Sequence, residues 1–331
     1  MNNTKMRGEK RYLDCHFLKN SIHFFYDNIR ACCSNALGPI FYDKFQDENI
    51  DTDYMYEVRK KYIERINNDE FADGVPDCCK NCCEIDENLK TEKIKEFENK
   101  VQRIYFQNTM SCNAKCTYCT FRDVEKGYKY KVVPIIKAMI EKKILAKDAY
   151  IFMSGGEITI YPEFEELFSI LFNYLESCIE IFSSGIKYLE IINEAFKKNR
   201  CRMVISLDSG CRETYLKIKQ VDCFDQVVNN VAKYTSSSEN AKEKIVLKYI
   251  LVDDVNDNKE EIEKFIKTVV SLGVKNVRMD VDYEKYKYSF HNKVPEHYFE
   301  LFDYFYELSA KNELTIEKCV QSEKILEYSR T

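Results

Sequence analysis

The chain has 331 residues, of which 45% are hydrophobic and 14% aromatic, enough for two domains or for one barrel with an extension. Its 50 Lys and Arg against 55 Asp and Glu give a net charge of −5, which argues against a large nonspecific nucleic-acid surface. No apolar run approaches the length of a membrane span, and residues 1–14 lack the apolar core of a signal peptide, so we expect a cytoplasmic protein.

Fifteen cysteines in a chain without a predicted export signal favour metal binding or redox chemistry over a disulfide framework. Seven of them fall within residues 1–100, where no strand–helix alternation is predicted. Cys79 and Cys82 have metal-ligand spacing, and with Cys15 and Cys33 they would supply four thiolates. We predict that these four hold an auxiliary iron–sulfur cluster, with a structural zinc site or buried free thiols as the alternatives.

From residue 101 onward, strands rich in β-branched residues alternate six times with amphipathic helices, which predicts a parallel sheet with right-handed crossovers. The predicted strands are 101–106, 149–153, 178–182, 202–207, 244–252 and 277–281. The predicted helices are 54–67, 132–145, 163–175, 189–198, pieces up to 234, 259–272 and 296–310. The predicted domains are a Cys-rich region at 1–100, a barrel at 101–310 and a tail at 311–331.

Cys112, Cys116 and Cys119 follow the first of these strands at a three-then-two spacing. Soft thiolates on one short loop suit an iron–sulfur cluster or zinc. A structural zinc site normally takes four ligands from two paired half-sites, and no second half-site follows closely. A [4Fe-4S] cluster with three protein ligands leaves one iron open to an exogenous ligand.

This spacing resembles that of the radical S-adenosylmethionine (radical SAM) superfamily, whose open iron chelates the amino and carboxylate groups of SAM. Ser154-Gly155-Gly156-Glu157 is similar to the family's Gly-Gly-Glu strand end, although Ile158 stands where the family often has proline. The six β/α units match the family's partial (β/α)6 TIM-like barrel, here with a Cys-rich N-terminal extension. The resemblance therefore implies a [4Fe-4S] cluster, SAM and a low-potential electron donor such as flavodoxin or ferredoxin.

The resemblance also assigns residues to SAM at the carboxyl ends of the strands, where parallel β/α barrels place their active sites. It implies that Glu157, in the strand end with Gly155 and Gly156, accepts a hydrogen bond from the amino group of SAM's methionine part. The backbone of Tyr118 would approach the adenine.

Three further strand ends carry groups for the rest of SAM. Asp208, Ser184 and Ser206 are predicted to bond the ribose hydroxyls, and Lys248 to pair with the carboxylate. The alternatives are an Asx turn at Asp208, serines that only finish strands, and a solvated lysine.

The chemistry that the resemblance implies is reductive cleavage of SAM to methionine and a 5′-deoxyadenosyl radical, which abstracts a substrate hydrogen. Cys211 is predicted to reach the barrel mouth and return a hydrogen atom, as an epimerase requires, with a small buried Cys as the alternative. We favour oxidation, in which the auxiliary cluster accepts the substrate electron. A peptide and a sugar both stay open as substrates, and a radical methyl- or sulfur-transferase or a non-enzymatic iron–sulfur or zinc scaffold are the alternative functions.

Overall fold

The structure is a computed structural model, and it describes residues 12–13, 15–32, 52–67, 90–91, 99–122, 130–287 and 293–330. Nine strands of these residues belong to one mostly parallel, unclosed sheet, which confirms the predicted α/β fold class and is consistent with a partial barrel. The chain divides into two compact units, residues 1–108 with 128–151 and residues 109–127 with 152–331.

The first unit contains strands that the sequence analysis did not predict. Strand β2 pairs in parallel with β5 and antiparallel with β3, and its Phe24 ring stacks on Phe106 at 5.2 Å. This pairing buries a short apolar segment that has no distinct sequence signal of its own. The elements of this unit are β1 Tyr12–Leu13, α1 His16–Asn20, β2 Ser21–Phe25, β3 Ile29–Arg30, α2 Thr52–Asn67, β4 Lys90–Thr91, β5 Val101–Gln107, α3 Val133–Glu141 and β6 Leu145–Met153, of which the last two residues belong to the second unit.

In the second unit, strands β7 to β11 pair in sequence order, all in parallel. Their carboxyl ends therefore lie along one edge of the sheet. The elements are α4 Phe164–Tyr174, β7 Ile179–Ser183, α5 Glu190–Lys197, β8 Cys201–Ser206, α6 Arg212–Lys219, α7 Phe224–Ser237, α8 Glu239–Lys244, β9 Ile245–Leu251, α9 Lys259–Ser271, β10 Asn276–Val281, α10 Tyr283–Lys287, α11 His297–Lys311, β11 Thr315–Ile316 and α12 Val320–Arg330.

Local sequence explains most of these elements. Strand β9 is apolar and buried along almost its whole length, as expected of a strand with parallel neighbours on both sides. Helix α9 begins where the Asn258 side chain accepts a hydrogen bond from Glu261 N at 3.1 Å. The six predicted strands and the helices between them are confirmed.

One prediction was wrong at the end of an element. The predicted helix 132–145 ends earlier, because Lys143 takes a left-handed φ of 57° and Leu145 already begins β6. The predicted tail after residue 310 contains β11 and α12. Strand β11 contains only two residues and is held by its pairing with β10, a contact that local propensity cannot reveal.

Candidate active site

The cysteine loop, residues 109–122, carries Cys112, Cys116 and Cys119 within the second unit. All three cysteines are half-buried. Burial raises the pKa of the Cys112 thiol to about 11, a rise that the hydrogen bond from Ala114 N opposes and the nearby Glu157 carboxylate reinforces. A metal that binds Cys112 must therefore displace a proton from it.

The donor set of this loop fits a cubane. Among the described residues, no three His, Cys, Asp or Glu side chains converge on the position of one metal ion. The three thiolates that hold a cubane bind different irons, so a [4Fe-4S] cluster does not require that convergence. Three soft ligands on one loop would leave the fourth iron open.

The cysteine loop is joined directly to the Gly-Gly-Glu segment. Gly156 N donates to Thr109 O and Glu157 N donates to Ser111 O, both at 2.8 Å. A Cβ on Gly156 would lie 2.4 Å from Ser111 O, so only glycine allows this approach, and Gly155 has a φ of 114° that also favours glycine. Two motifs some 40 residues apart in sequence are thus held together by backbone hydrogen bonds.

The Glu157 carboxylate is held by donors from its own chain. Its residue is only 1% exposed, and it accepts from Thr159 N and Oγ1 at 3.2 and 2.6 Å, from Ser183 Oγ at 2.8 Å and from Ser184 N at 2.5 Å. Oε1 accepts three of these hydrogen bonds and Oε2 accepts one. Glu157 thereby fixes the end of β7 beside the Gly-Gly-Glu segment.

Ser184 directly follows β7, and Ser206 ends β8. Ser184 Oγ donates to Asn113 Oδ1 of the cysteine loop at 3.1 Å, so it helps to position that loop. Ser206 is half-buried at the end of β8, in register with Lys248 on β9.

The Asp208 carboxylate is held by donors from its own chain. Its side chain is fully buried, and it accepts from Tyr118 OH at 2.5 Å, from Ile250 N at 2.9 Å and from Lys219 Nζ. Burial raises the pKa of the Tyr118 hydroxyl, and the Asp208 charge raises it further. Burial alone would lower the pKa of Lys219, but the Asp208 carboxylate reverses the direction, so Lys219 stays charged.

An open cavity of about 320 Å³ lies beside the cysteine loop. Tyr118 and Cys119 line it from the loop, and Lys248, Arg278 and Asp280 line it from β9 and β10. Arg278 Nε donates to both oxygens of Asp280, at 3.0 and 2.9 Å. The cavity therefore combines a position next to a thiol that is predicted to bind metal with charged groups that can orient a polar ligand.

Lys248 differs from Lys219, which is paired with Asp208, because no described carboxylate lies within ion-pairing distance of Lys248. Burial lowers the pKa of its ammonium group, although the carboxylates of Asp280 and Asp208 oppose that change. Lys248 is thus a half-buried cation that lines the cavity and has capacity for an anionic group.

Cys211 is not where the sequence analysis predicted it. It caps the start of α6, with its thiol 3.4 Å from Thr214 Oγ1 and 3.8 Å from Glu261 Oε2 of α9, and it does not line the cavity beside Cys119. The chain turns away from the sheet edge after Asp208, so the next thiol packs between helices.

The predicted auxiliary site falls mostly on other parts of the chain. Cys33, Cys79 and Cys82 lie outside the described residues. Cys15 is buried, and its Sγ accepts a hydrogen bond from Leu18 N at 3.5 Å. The auxiliary cluster stays a prediction.

Several residues of the site escaped sequence reasoning. Arg278 and Asp280 alternate with apolar residues on β10, and such charges in a predicted strand are a signal that one face meets a polar space. Lys219 and Asn113 gave no comparable signal, because a lysine at a helix end and an asparagine in a loop are ordinarily solvated. Cys319, which also lines the cavity, lay in the predicted tail.

Residues 109–269 match the family model of the radical SAM superfamily. This chain carries a radical SAM domain. The match includes the cysteine loop, the Gly-Gly-Glu segment and strands β7 to β9. Radical SAM domains work with a [4Fe-4S] cluster and SAM and require a reductant, so these predicted cofactors are confirmed.

Curated relatives match this chain at low identity. A probable GTP 3′,8-cyclase of Saccharolobus solfataricus is 23% identical over 189 residues, which are 56% of this chain and 58% of the relative, so less than two thirds of the relative's length is matched. The structure of Streptococcus suis SuiB bound to S-adenosylmethionine aligns with a TM-score of 0.51 at 13% identity, covering 82% of this chain and 57% of SuiB. SuiB bound to its precursor peptide SuiA aligns with a TM-score of 0.51 at 12% identity, covering 86% and 58%. These likenesses to solved structures support the fold of the radical SAM domain. None of the described helices has the length and apolar character needed to span a bilayer.

Proposed function

We propose that this protein cleaves SAM reductively and abstracts a hydrogen atom from a substrate bound in the cavity beside Cys119. The proposal rests on the two backbone hydrogen bonds that join the cysteine loop to Gly156 and Glu157. They hold the three candidate metal ligands against the strand end that resembles a SAM-binding motif. The adjoining cavity has the size of a small-ligand site.

The residues of the site have distinct roles in this proposal. Cys112, Cys116 and Cys119 hold three irons of the cluster. When bound, the cluster and SAM supply a one-electron cleavage of the sulfonium that yields methionine and a 5′-deoxyadenosyl radical. Lys248 pairs with the carboxylate of SAM, and the backbone at Tyr118 lies along the adenine. A flavodoxin or ferredoxin is the proposed electron donor.

We propose oxidation of a peptide or a sugar as the reaction. The position of Cys211 against α9 supports this choice over an epimerase that uses Cys211, since that thiol does not line the cavity. SuiB, whose fold is similar, is bound to a precursor peptide in one structure, which supports a peptide as the first substrate to test. A second cluster held by Cys15, Cys33, Cys79 and Cys82 would accept the electron that the substrate radical releases.

Epimerisation is the second candidate because a different thiol, Cys319, lines the cavity with Cys119. Cys319 is 9% exposed, and its exchangeable thiol hydrogen is the atom that would be returned to the substrate radical. Candidate peptides and sugars are first tested for an increase in 5′-deoxyadenosine formation above the substrate-free rate. The mass of the product is then measured for a compound that gives this increase. Oxidation lowers the product mass by two hydrogens, whereas epimerisation keeps the mass in ordinary water and adds one deuterium in deuterated water.

The central test is SAM cleavage by the anaerobically reconstituted chain with dithionite, followed by chromatography for 5′-deoxyadenosine. Cys112→Ala/Cys116→Ala/Cys119→Ala should abolish that product. The control is Cys178→Ala/Cys223→Ala, which removes two half-buried thiols that do not line the cavity and should retain cleavage. Continued cleavage by the triple variant would refute the proposed function.

The same triple variant tests the auxiliary cluster. If both sites hold cubanes, iron should fall from about eight to about four per chain rather than to zero. Zinc without iron in the triple variant would overturn the auxiliary cluster and favour the structural-metal alternative.

A further inference from the structure

Tyr118, Asp208 and Lys219 meet at one buried point below the cysteine loop. Lys219 Nζ donates to Tyr118 OH at 2.8 Å and to Asp208 Oδ2, and Tyr118 OH donates to the same carboxylate oxygen at 2.5 Å. The side chains of Lys219 and Asp208 are 1% and 0% exposed. A buried ion pair needs every remaining polar position satisfied, and the Tyr118 hydroxyl fills one of them.

This contact is tied to the loop by the backbone as well. Lys115 N donates to Lys219 O and Thr117 N donates to Ile218 O, both at 2.9 Å. The last carbonyls of a helix have no partner within the helix, and here the cysteine loop supplies donors to two of them. Helix α6 ends directly after Lys219, where Gln220 takes a left-handed φ of 55°.

The segment held in this way is the part of the loop that contains Cys116 and leads to Cys119. Its backbone is attached to the end of α6 at two amides, and its Tyr118 side chain is attached to the buried ion pair. Three attachments within residues 115–118 leave this segment little freedom to change the direction of the two neighbouring thiols. The ion pair thus has a position from which it can act on metal ligands that it does not touch.

We propose that Tyr118, Asp208 and Lys219 are positioning residues that fix the geometry of Cys116 and Cys119 and so retain the iron–sulfur cluster. This inference rests on the proposed function, because it requires that the cysteine loop holds a cluster. The attachment acts through the loop backbone, and the Tyr118 hydroxyl is its link to the charged pair. A cluster whose ligands are less well fixed exchanges iron faster and has altered electronic properties.

Tyr118→Phe tests the proposal because it removes the hydroxyl and keeps the ring. The matched control is Tyr215→Phe on α6, since the buried Tyr215 hydroxyl has no hydrogen-bond partner among the described residues. After anaerobic reconstitution with iron and sulfide, we expect Tyr118→Phe to release iron to a chelator about tenfold faster, as follows from losing one charge-assisted hydrogen bond. Its electron paramagnetic resonance spectrum should shift, while Tyr215→Phe should match the unmodified chain in both measurements.

Hydrogen–deuterium exchange in the metal-free chain gives a second measurement that does not depend on the cluster. The amides of Lys115 and Thr117 should exchange faster in Tyr118→Phe than in Tyr215→Phe. If the unmodified chain holds a cluster and Tyr118→Phe equals the control in iron release, spectrum and exchange, the positioning role is refuted and the proposed function stands. If the unmodified chain takes up no iron at the cysteine loop, both are refuted.

Discussion

His23 in the first unit and Lys219 in the second are both buried, but their pKa values shift in opposite directions. His23 on β2 is 5% exposed, its Nε2 shares a hydrogen bond of 2.9 Å with Gln107 Oε1, and burial with the nearby Arg30 charge lowers its pKa to about 4. Lys219 is 1% exposed, and the charge of its partner Asp208 raises its pKa in spite of burial.

This difference shows what a partner of opposite charge allows. A buried histidine without such a partner becomes neutral, because the cost of removing its charge from water exceeds what one neutral hydrogen bond returns. The Asp208–Lys219 pair keeps its charges where they can fix a loop, and charge-assisted hydrogen bonds are stronger than neutral ones. The neutral His23 lies on β2, a strand whose residues pack against neighbouring residues.

The largest expected effect comes from breaking the pair. Lys219→Met leaves the Asp208 carboxylate buried without its counter-ion, and we expect the free energy of unfolding to fall by about 3–5 kcal/mol. Urea unfolding of the metal-free chain measures it. Lys217→Met, at an exposed position of the same helix, is the control and should cost little.

Removing both charges should restore part of that loss. Asp208 has a φ of 60°, a conformation that asparagine tolerates well, so Asp208→Asn/Lys219→Met is the suitable double variant. If Lys219→Met were as stable as the Lys217→Met control, the buried Asp208 carboxylate would not need its counter-ion, and the contrast with His23 would be wrong.

An intermediate effect on the free energy of unfolding is expected when the pH is lowered. Since the pKa of His23 is lower in the folded state than its ordinary 6.5, the unfolded state binds the proton more tightly, and stability is lost as pH falls from 6.5 towards 4. Because of His23, the free energy of unfolding should be about 2 kcal/mol lower at pH 5 than at pH 7.

Urea unfolding at both pH values tests the role of His23. His23→Gln should lose most of this difference, whatever its stability at pH 7. His297→Gln, at an exposed histidine, should keep it. Equal pH dependence in the two variants would show that His23 is not the group responsible.

The smallest expected effect concerns Lys248, a half-buried lysine without a described carboxylate partner. If it pairs with SAM, Lys248→Met should weaken SAM binding by about tenfold, or about 1.4 kcal/mol, in calorimetry of the reconstituted chain. Decarboxylated SAM should bind both proteins alike, and Lys311→Met at an exposed position should not change either affinity.

The pH dependence of SAM binding sharpens the contrast with Lys219. Because burial lowers the pKa of Lys248, its ammonium is lost at a lower pH than that of an ordinary lysine, so SAM affinity should fall as pH rises. In Lys248→Met this fall should disappear. A fall of the same size in the variant would assign the titration to another group.

Most of the alternating fold was predictable because its information is local. The apolar run of β9, the amphipathic helices and the thiol spacing are each contained in a short segment. By contrast, β2 and β11 depend on strand partners distant in sequence, and their own segments have no distinctive pattern. Pairing of that kind stabilises a short strand through hydrogen bonds that no local preference encodes.

The sequence alone determined where the three clustered thiols of the second unit lie and which strand end they accompany. The tertiary structure decided how the surrounding polar groups are used. Glu157 and Asp208 accept hydrogen bonds from their own chain, while Lys248 lines the cavity. The physical reason is that a carboxylate at a strand end bonds whichever donors neighbouring strands and helices bring near it, and only the folded chain fixes those neighbours.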